Sequence, residues 1–317
     1  MAGDAPAPDL LARVEAGGLI AATAPVVAML SGGRDSVCML DLAVRLRGPD
    51  AVTALHVDYG LRPESHDDAD FCVSLCGGLG VELVLERPVR PEGPGNLQAW
   101  ARDVRYAAAI RLAEARGATI VTGHTADDQV ETILYRLASS PSRRALLGMK
   151  ERDGRLARPL LATTRAEVTA YDEARGLAWR DDSTNAEEGY ARNRVRHGLL
   201  PELEAIHPAA VANVLRTAAL LRDEAEVLDA LVAAELDASA DAPRGRISHA
   251  RFAALPPALR RLVLQRLADA AAGRPVAGAA RFADQVADLH RGGSRLDLGD
   301  GVRAVLEGGV LRAEREA

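Results

Sequence analysis

The chain has 317 residues, 48% of them hydrophobic, and a formal net charge of −6 at pH 7. That length suits two domains, each with its own core. No apolar run approaches the ~18 residues of a membrane span. The start, MAGDAPAPDL, lacks the basic and apolar stretches of a secretory signal, so a cytoplasmic protein is expected. Three cysteines, Cys38, Cys72 and Cys76, are too few for a disulfide framework or a structural zinc site and read as core or helix residues.

In chain order, residues 10–24 read as a short helix and 24–30 as a buried strand followed by the glycine turn SGGRDS. A helix over 37–46, a strand over 51–58, a helix over 66–80 and a strand over 81–89 follow. Asn96 caps a long helix that stops at Gly117. Residues 118–124 form a fourth strand, and 125–139 a helix with an acidic first turn, as the helix dipole favours. Strands alternating with helices give an α/β fold with a doubly wound, mostly parallel sheet. Ligands in such sheets bind at the carboxyl ends of the strands, where SGGRDS, HVDYG and GHTADD all fall.

Past residue 140 the pattern changes. Residues 141–163 read as a basic, loop-rich stretch, 164–176 as a helix, and 179–203 as a polar loop running into a helix. A long helix is expected from Pro208 to Asp237, a linker near 242–245, helices over 257–273 and 280–293, and a glycine-turned β-hairpin at the end. The expected boundary lies near 205. It separates a catalytic domain, 1–205, from a smaller and mainly helical domain, 206–317.

Ser31-Gly32-Gly33-Arg34-Asp35-Ser36 joins a strand to a helix. Its glycines let backbone approach a phosphate, and its hydroxyls and helix N-terminus suit an anion. It is neither a Walker A loop nor a dinucleotide fingerprint, since it has no Gly-Lys-Ser/Thr and no Gly-x-Gly-x-x-Gly. Asp35 beside phosphates calls for a cation such as Mg²⁺ between them. His56 ends the second strand, beside the expected nucleoside position, and His124 ends the fourth. Asp128 and Glu131 are three apart on one helix face, a pair suited to metal binding or proton removal. Arg102 and Arg105 share a face of the preceding helix, and either could meet a developing negative charge.

The SGGRDS string resembles the PP-loop of the ATP-pyrophosphatase superfamily. The resemblance implies that residues 31–36 hold the pyrophosphate end of ATP, with cleavage between the α and β phosphates. The ordered series SGGRDS, HVDYGLR, NLQAWARDVRY, GHTADDQVET, RPLL and RNRVRHGLLPEL resembles the tRNA(Ile)-lysidine synthases over residues 25–205. That resemblance implies adenylation of the C2 oxygen of the wobble cytidine in a CAU-anticodon tRNA(Ile). Free L-lysine then attacks C2 and displaces AMP. It implies ATP and Mg²⁺ as cofactors and Asp35, Arg105, Asp128 and Glu131 as catalytic residues, with Asp35 and Asp128 as metal ligands. Ser31 to Ser36, His56 and His124 would line the nucleotide site. Arg143, Arg144, Arg192, Arg194 and Arg196 are the candidate tRNA contacts. Lys150 is the sole lysine in the chain, which suits a lysine nucleophile that arrives as substrate.

Two departures from the family pattern stand out. Ser139 to Ala145 replaces a glycine-rich stretch, and only about 110 residues follow the expected boundary. The alternative reading is a tRNA 2-thiolation enzyme of the same superfamily, for which Cys72 and Cys76 are candidates. A PP-loop amidotransferase and a non-catalytic nucleotide module are more distant rivals. Monomer and homodimer both remain open.

Overall fold

The computed structural model describes residues 10–21, 23–61, 65–90, 96–140, 143–180, 191–238, 245–290 and 293–316, with the backbone alone at 191 and 192. The polar loop expected before residue 191 and most of the linker near 242–245 lie outside the described residues. The chain divides into two compact units, 1–216 and 217–317. The division falls inside one long helix rather than near 205.

In the first unit, helix α1 (Leu10–Ala16) precedes β1 (Val26–Met29), α2 (Arg34–Arg47), β2 (Val52–Val57), α3 (Ser65–Leu79), β3 (Glu82–Glu86), α4 (Leu97–Arg116), β4 (Thr119–Val121) and α5 (Ala126–Ser139). Short pieces follow: α6 (Arg143–Leu146), β5 (Arg152–Asp153) and β6 (Leu156–Ala157). Then come α7 (Arg165–Arg175), α8 (Ala191–Arg194), a π turn over Val195–Leu199 and α9 (Leu200–Ile206). The sheet order is β3-β2-β1-β4-β6-β5, parallel except for β5. Strand order reverses between β1 and β4, and that crevice is the topological switch point.

Alternation along the strands explains why helices cover both faces. Val26, Ala28 and Leu30 join a core with residues of α1, α2, α3 and α7. Val27 and Met29, pointing the other way, pack with Leu55, Val57, Ile120 and the Ala108–Ala113 side of α4. The capping signals read from sequence are in place. Asn96 Oδ1 accepts from the Ala99 amide, and Gly117 closes α4 at φ 62°. The strands β5 and β6, two residues each, are too short to carry a periodicity, so residues 141–163 read as loop.

Helix α10 (Ala210–Asp237) runs into the second unit, which continues with β7 (Arg246–Ser248), α11 (His249–Ala254), α12 (Pro257–Ala272), a 3₁₀ turn at Ala279–Phe282, α13 (Ala283–Ala287) and strands β8 (Ser294–Gly299), β9 (Val302–Glu307) and β10 (Val310–Arg315). The expected terminal hairpin is in fact two successive hairpins. With β7 they make a four-stranded antiparallel sheet in the order β7-β10-β9-β8. Its core holds Ile247, Phe252, Leu264, Leu298 and Leu311. Among the described residues, no helix is long and apolar enough to cross a membrane.

Candidate functional site

Two helices begin side by side at the switch point, α2 after β1 and α5 after β4. Gly123 sets how close they come. A Cβ at Gly123 would lie 2.3 Å from the Asp35 carbonyl oxygen, so only glycine lets the end of β4 meet the first turn of α2.

The PP-loop is tied by its own hydroxyls. Ser36 Oγ donates to the Gly33 carbonyl at 2.7 Å and accepts from the Ser31 amide at 3.1 Å, and the Ser31 and Ser36 hydroxyls are 3.1 Å apart. Gly32 takes φ 87°, and its carbonyl accepts from the Arg180 amide at 3.0 Å. The N-cap of α2 is Gly33, and no side chain caps the helix. The Ser36 and Val37 amides donate to the Gly33 carbonyl at 3.0 Å, which leaves the Arg34 and Asp35 amides as the donors of this helix start. By contrast, Thr125 and Asp128 close α5 with a reciprocal capping box.

Three carboxylates converge there, each met by a guanidinium. Arg34 Nε donates to Asp35 Oδ1 at 3.1 Å. Arg196 grips buried Glu131 with both ends of its fork, at 2.6 and 3.1 Å, and lies 3.5 Å from Asp128. Arg165, the first residue of α7, stands between all three acids. It lies 3.9 Å from Asp35 Oδ2, 3.4 Å from Asp128 Oδ1 and 3.6 Å from Glu131 Oε1. Its backbone amide donates to Asp127 Oδ2 at 2.7 Å, which pins α7 to α5. Burial raises the Asp35 pKa above the usual carboxylate range; Arg34 and Arg165 oppose this and Asp128 adds to it.

The two histidines differ in kind. His56 is buried under the loop, and its Nδ1 lies 2.9 Å from the Leu30 carbonyl and 3.4 Å from the Cys72 sulfur. It braces the strand end that leads into the PP-loop. His124 Nδ1 pairs with Thr122 Oγ1 at 2.7 Å. Burial pushes the His124 pKa down to about 4, Asp128 pulls it back, and Arg158, Arg105 and Arg102 lower it further. The ring is therefore neutral at pH 7. Arg105 approaches the Tyr106 ring at 5.6 Å, and its Nε is buried with no hydrogen-bond partner among the described residues. The Tyr106 hydroxyl is likewise buried without one.

Sequence reasoning missed Arg165. The available signal was the Thr164-x-x-Glu167 capping box, which fixes Arg165 as a helix-starting residue. It also placed Arg196 among the tRNA contacts, whereas the structure pairs Arg196 with Glu131. Arg144 and Arg194 are exposed, Arg143 is half-buried, and the Arg192 side chain lies outside the described residues. All three cysteines are buried; burial raises the Cys72 thiol to about 12 and Cys76 to about 11.

The model of the PP-loop domain matches residues 15–203, a span that holds every one of these groups. A Thermobifida fusca tRNA(Ile)-lysidine synthase is 35% identical over 280 residues, which is 86% of this chain and 86% of that one. The chain belongs to the tRNA(Ile)-lysidine synthase family. Relatives of the same name from Thermus thermophilus and an Azoarcus species are 40% and 39% identical over 90% and 86% of this chain. It spans only 56% and 61% of those two proteins. The fold also matches a U34-tRNA thiolase from Methanococcus maripaludis. That likeness has a TM-score of 0.57 at 18% identity and covers 68% of this chain and 78% of the other.

Proposed function

We propose that this family member ligates L-lysine to C2 of the wobble cytidine of CAU-anticodon tRNA(Ile), using ATP and releasing AMP and pyrophosphate. One observation carries the reading within the family. An uncapped helix N-terminus and a cluster of carboxylates and arginines meet across the one crevice where the sheet order reverses.

The open amides of α2 and the Ser31 hydroxyl hold the pyrophosphate end of ATP. The oxygens of Asp35 and Asp128 suit a hard cation, and both carboxylates face the Arg165 guanidinium, which marks the space between them as a place for positive charge. Mg²⁺ held by Asp35 and Asp128 would neutralise charge between carboxylate and phosphate. Neutral His124 places an uncharged ring beside the nucleotide. Arg105 brings its unpartnered Nε to the anionic phosphate of the adenylated cytidine. Asp128 and Glu131 attract the ammonium of the incoming lysine, and a carboxylate there takes its proton. The amine nitrogen then bonds to C2 while the C2–O bond breaks, and the oxygen leaves with AMP. Arg143, Arg144, Arg192 and Arg194 contact tRNA phosphates, and residues 217–317 form an accessory tRNA-contacting unit.

The test mixes purified protein with ATP, Mg²⁺, labelled lysine and a tRNA(Ile) transcript bearing CAU. Label in the tRNA that requires both ATP and the wobble cytidine supports the reading. ATP cleavage to AMP with no label transferred overturns it.

A further inference from the structure

The acids of the crevice are already neutralised by side chains of the chain itself. Asp35, Asp128 and Glu131 face Arg34, Arg165 and Arg196, three charges against three. The pairings are not equal. Arg196 holds Glu131 by two short bonds, at 2.6 and 3.1 Å. Arg165 makes no comparable grip. Its contacts with the acids run from 3.4 to 3.9 Å and are spread over three carboxylates. A guanidinium shared this way is held by charge more than by directed hydrogen bonds, because such bonds weaken beyond ~3.2 Å. Its backbone is anchored separately, through the Asp127 bond to its amide. The side chain can therefore change partners without undoing the start of α7.

We propose that Arg165 is a resident counter-ion, which occupies the divalent-cation position between Asp35 and Asp128 until nucleotide arrives and then moves to the nucleotide phosphates. The inference rests on the nucleotide-binding part of the reading above, and on neither lysine nor tRNA. The exchange keeps a positive charge on the two carboxylates at each stage. Before binding, one guanidinium stands between the two carboxylates. Afterwards the cation takes them, the phosphates bring new negative charge, and Arg165 follows that charge. Glu131 keeps Arg196 throughout. A divalent ion alone must compete with an arginine already in place, so it binds the nucleotide-free protein weakly.

The test uses Mn²⁺ titration followed by electron paramagnetic resonance on the full chain, with and without α,β-methylene ATP. Arg165→Gln is expected to tighten nucleotide-free Mn²⁺ binding about tenfold while weakening the nucleotide analogue by a similar factor. Arg165→Lys, which keeps the charge, is expected to retain weak Mn²⁺ binding. A folded Arg165→Gln variant with unchanged or weaker Mn²⁺ affinity overturns the proposal and leaves Arg165 a structural brace. If Arg165→Gln does not fold, the unaltered protein decides. The analogue must tighten Mn²⁺ binding there, and equal affinity with and without it overturns the exchange. Absence of any analogue binding in calorimetry overturns the exchange together with the nucleotide site. Failure to form lysidine while the exchange persists breaks only the functional reading.

Discussion

Helices α2 and α5 start next to each other, at the ends of adjacent parallel strands, yet they finish their first turns in opposite ways. Helix α5 satisfies its own amides through Thr125 and Asp128, whereas α2 begins at Gly33 and uses no side chain. A capped N-terminus is worth about 1 kcal/mol of stability, and α2 forgoes that. The same geometry thus yields a stable support in one helix and a set of unspent donors in the other. The acid that caps α5, Asp128, also turns its second oxygen toward the crevice. On the proposed reading, α2 supplies donors for an anion together with Asp35, and α5 supplies Asp128 and Glu131.

The largest expected effect comes from breaking the contact that joins the two helices. Gly123→Ala drives a methyl into the Asp35 carbonyl and is expected to cost about 3 kcal/mol or more, with loss of soluble folded protein or a strongly lowered Tm. By comparison, Gly33→Asp gives α2 the cap that it lacks. Gly33 sits at φ −75° and ψ 156°, which any residue adopts, and a Cβ there meets only ordinary contacts at 3.5 Å or more. Stability is expected to hold or rise by a few tenths of a kcal/mol, while ATP affinity falls about a hundredfold. Calorimetry and thermal melts on the same sample separate the two. A Gly33→Asp protein that binds ATP normally removes the contrast between the helices.

Behind α2, burial raises the pKa of the Asp172 carboxyl on α7 to about 7; the adjacent Cys38 thiol lowers it and Asp35 raises it further. Both its oxygens are out of water, and the weak thiol donor of Cys38 is the group that faces them. Between pH ~4 and ~7 the folded protein holds a proton that the unfolded chain has lost, so stability falls as pH rises through that window and levels off above it. Asp172→Asn is expected to flatten this decline and to gain on the order of 1 kcal/mol at pH 8, read from urea unfolding at several pH values. An unchanged pH profile argues that Asp172 is ionised. The smallest effect belongs to the capped helix. Thr125→Ala should lower stability by about 1 kcal/mol, and Thr125→Ser should restore most of it, since the hydroxyl is what accepts the Asp128 amide.

What the sequence made legible follows from what is local. Val26 to Leu30 alternates between two cores, Asn96 and Gly117 bracket α4, and the acidic turn of α5 stands beside its threonine cap; all of these are signals carried within a few residues. The capping box also marked the start of α7. What it could not mark was where the guanidinium of Arg165 would go, because its partners lie at positions 35, 128 and 131 and are brought near only by the sheet. Arg196 misled for a related reason. Arginines at 192, 194 and 196 read as one basic run, but residues two apart on a helix lie on opposite faces, so Arg194 is exposed while Arg196 reaches inward. The second unit shows the same limit on a larger scale, since β7 pairs with β10 far along the chain, Ile247 opposite Leu311.

The absence of clearance at Gly123 has a mechanical meaning. With the end of β4 seated against the Asp35 backbone, α2 and α5 cannot shear past one another without breaking that contact. The donor end and the acid end of the crevice therefore travel as one block. In amide-exchange terms, the first turns of α2 and α5 should be protected together and released together, whatever occupies the crevice.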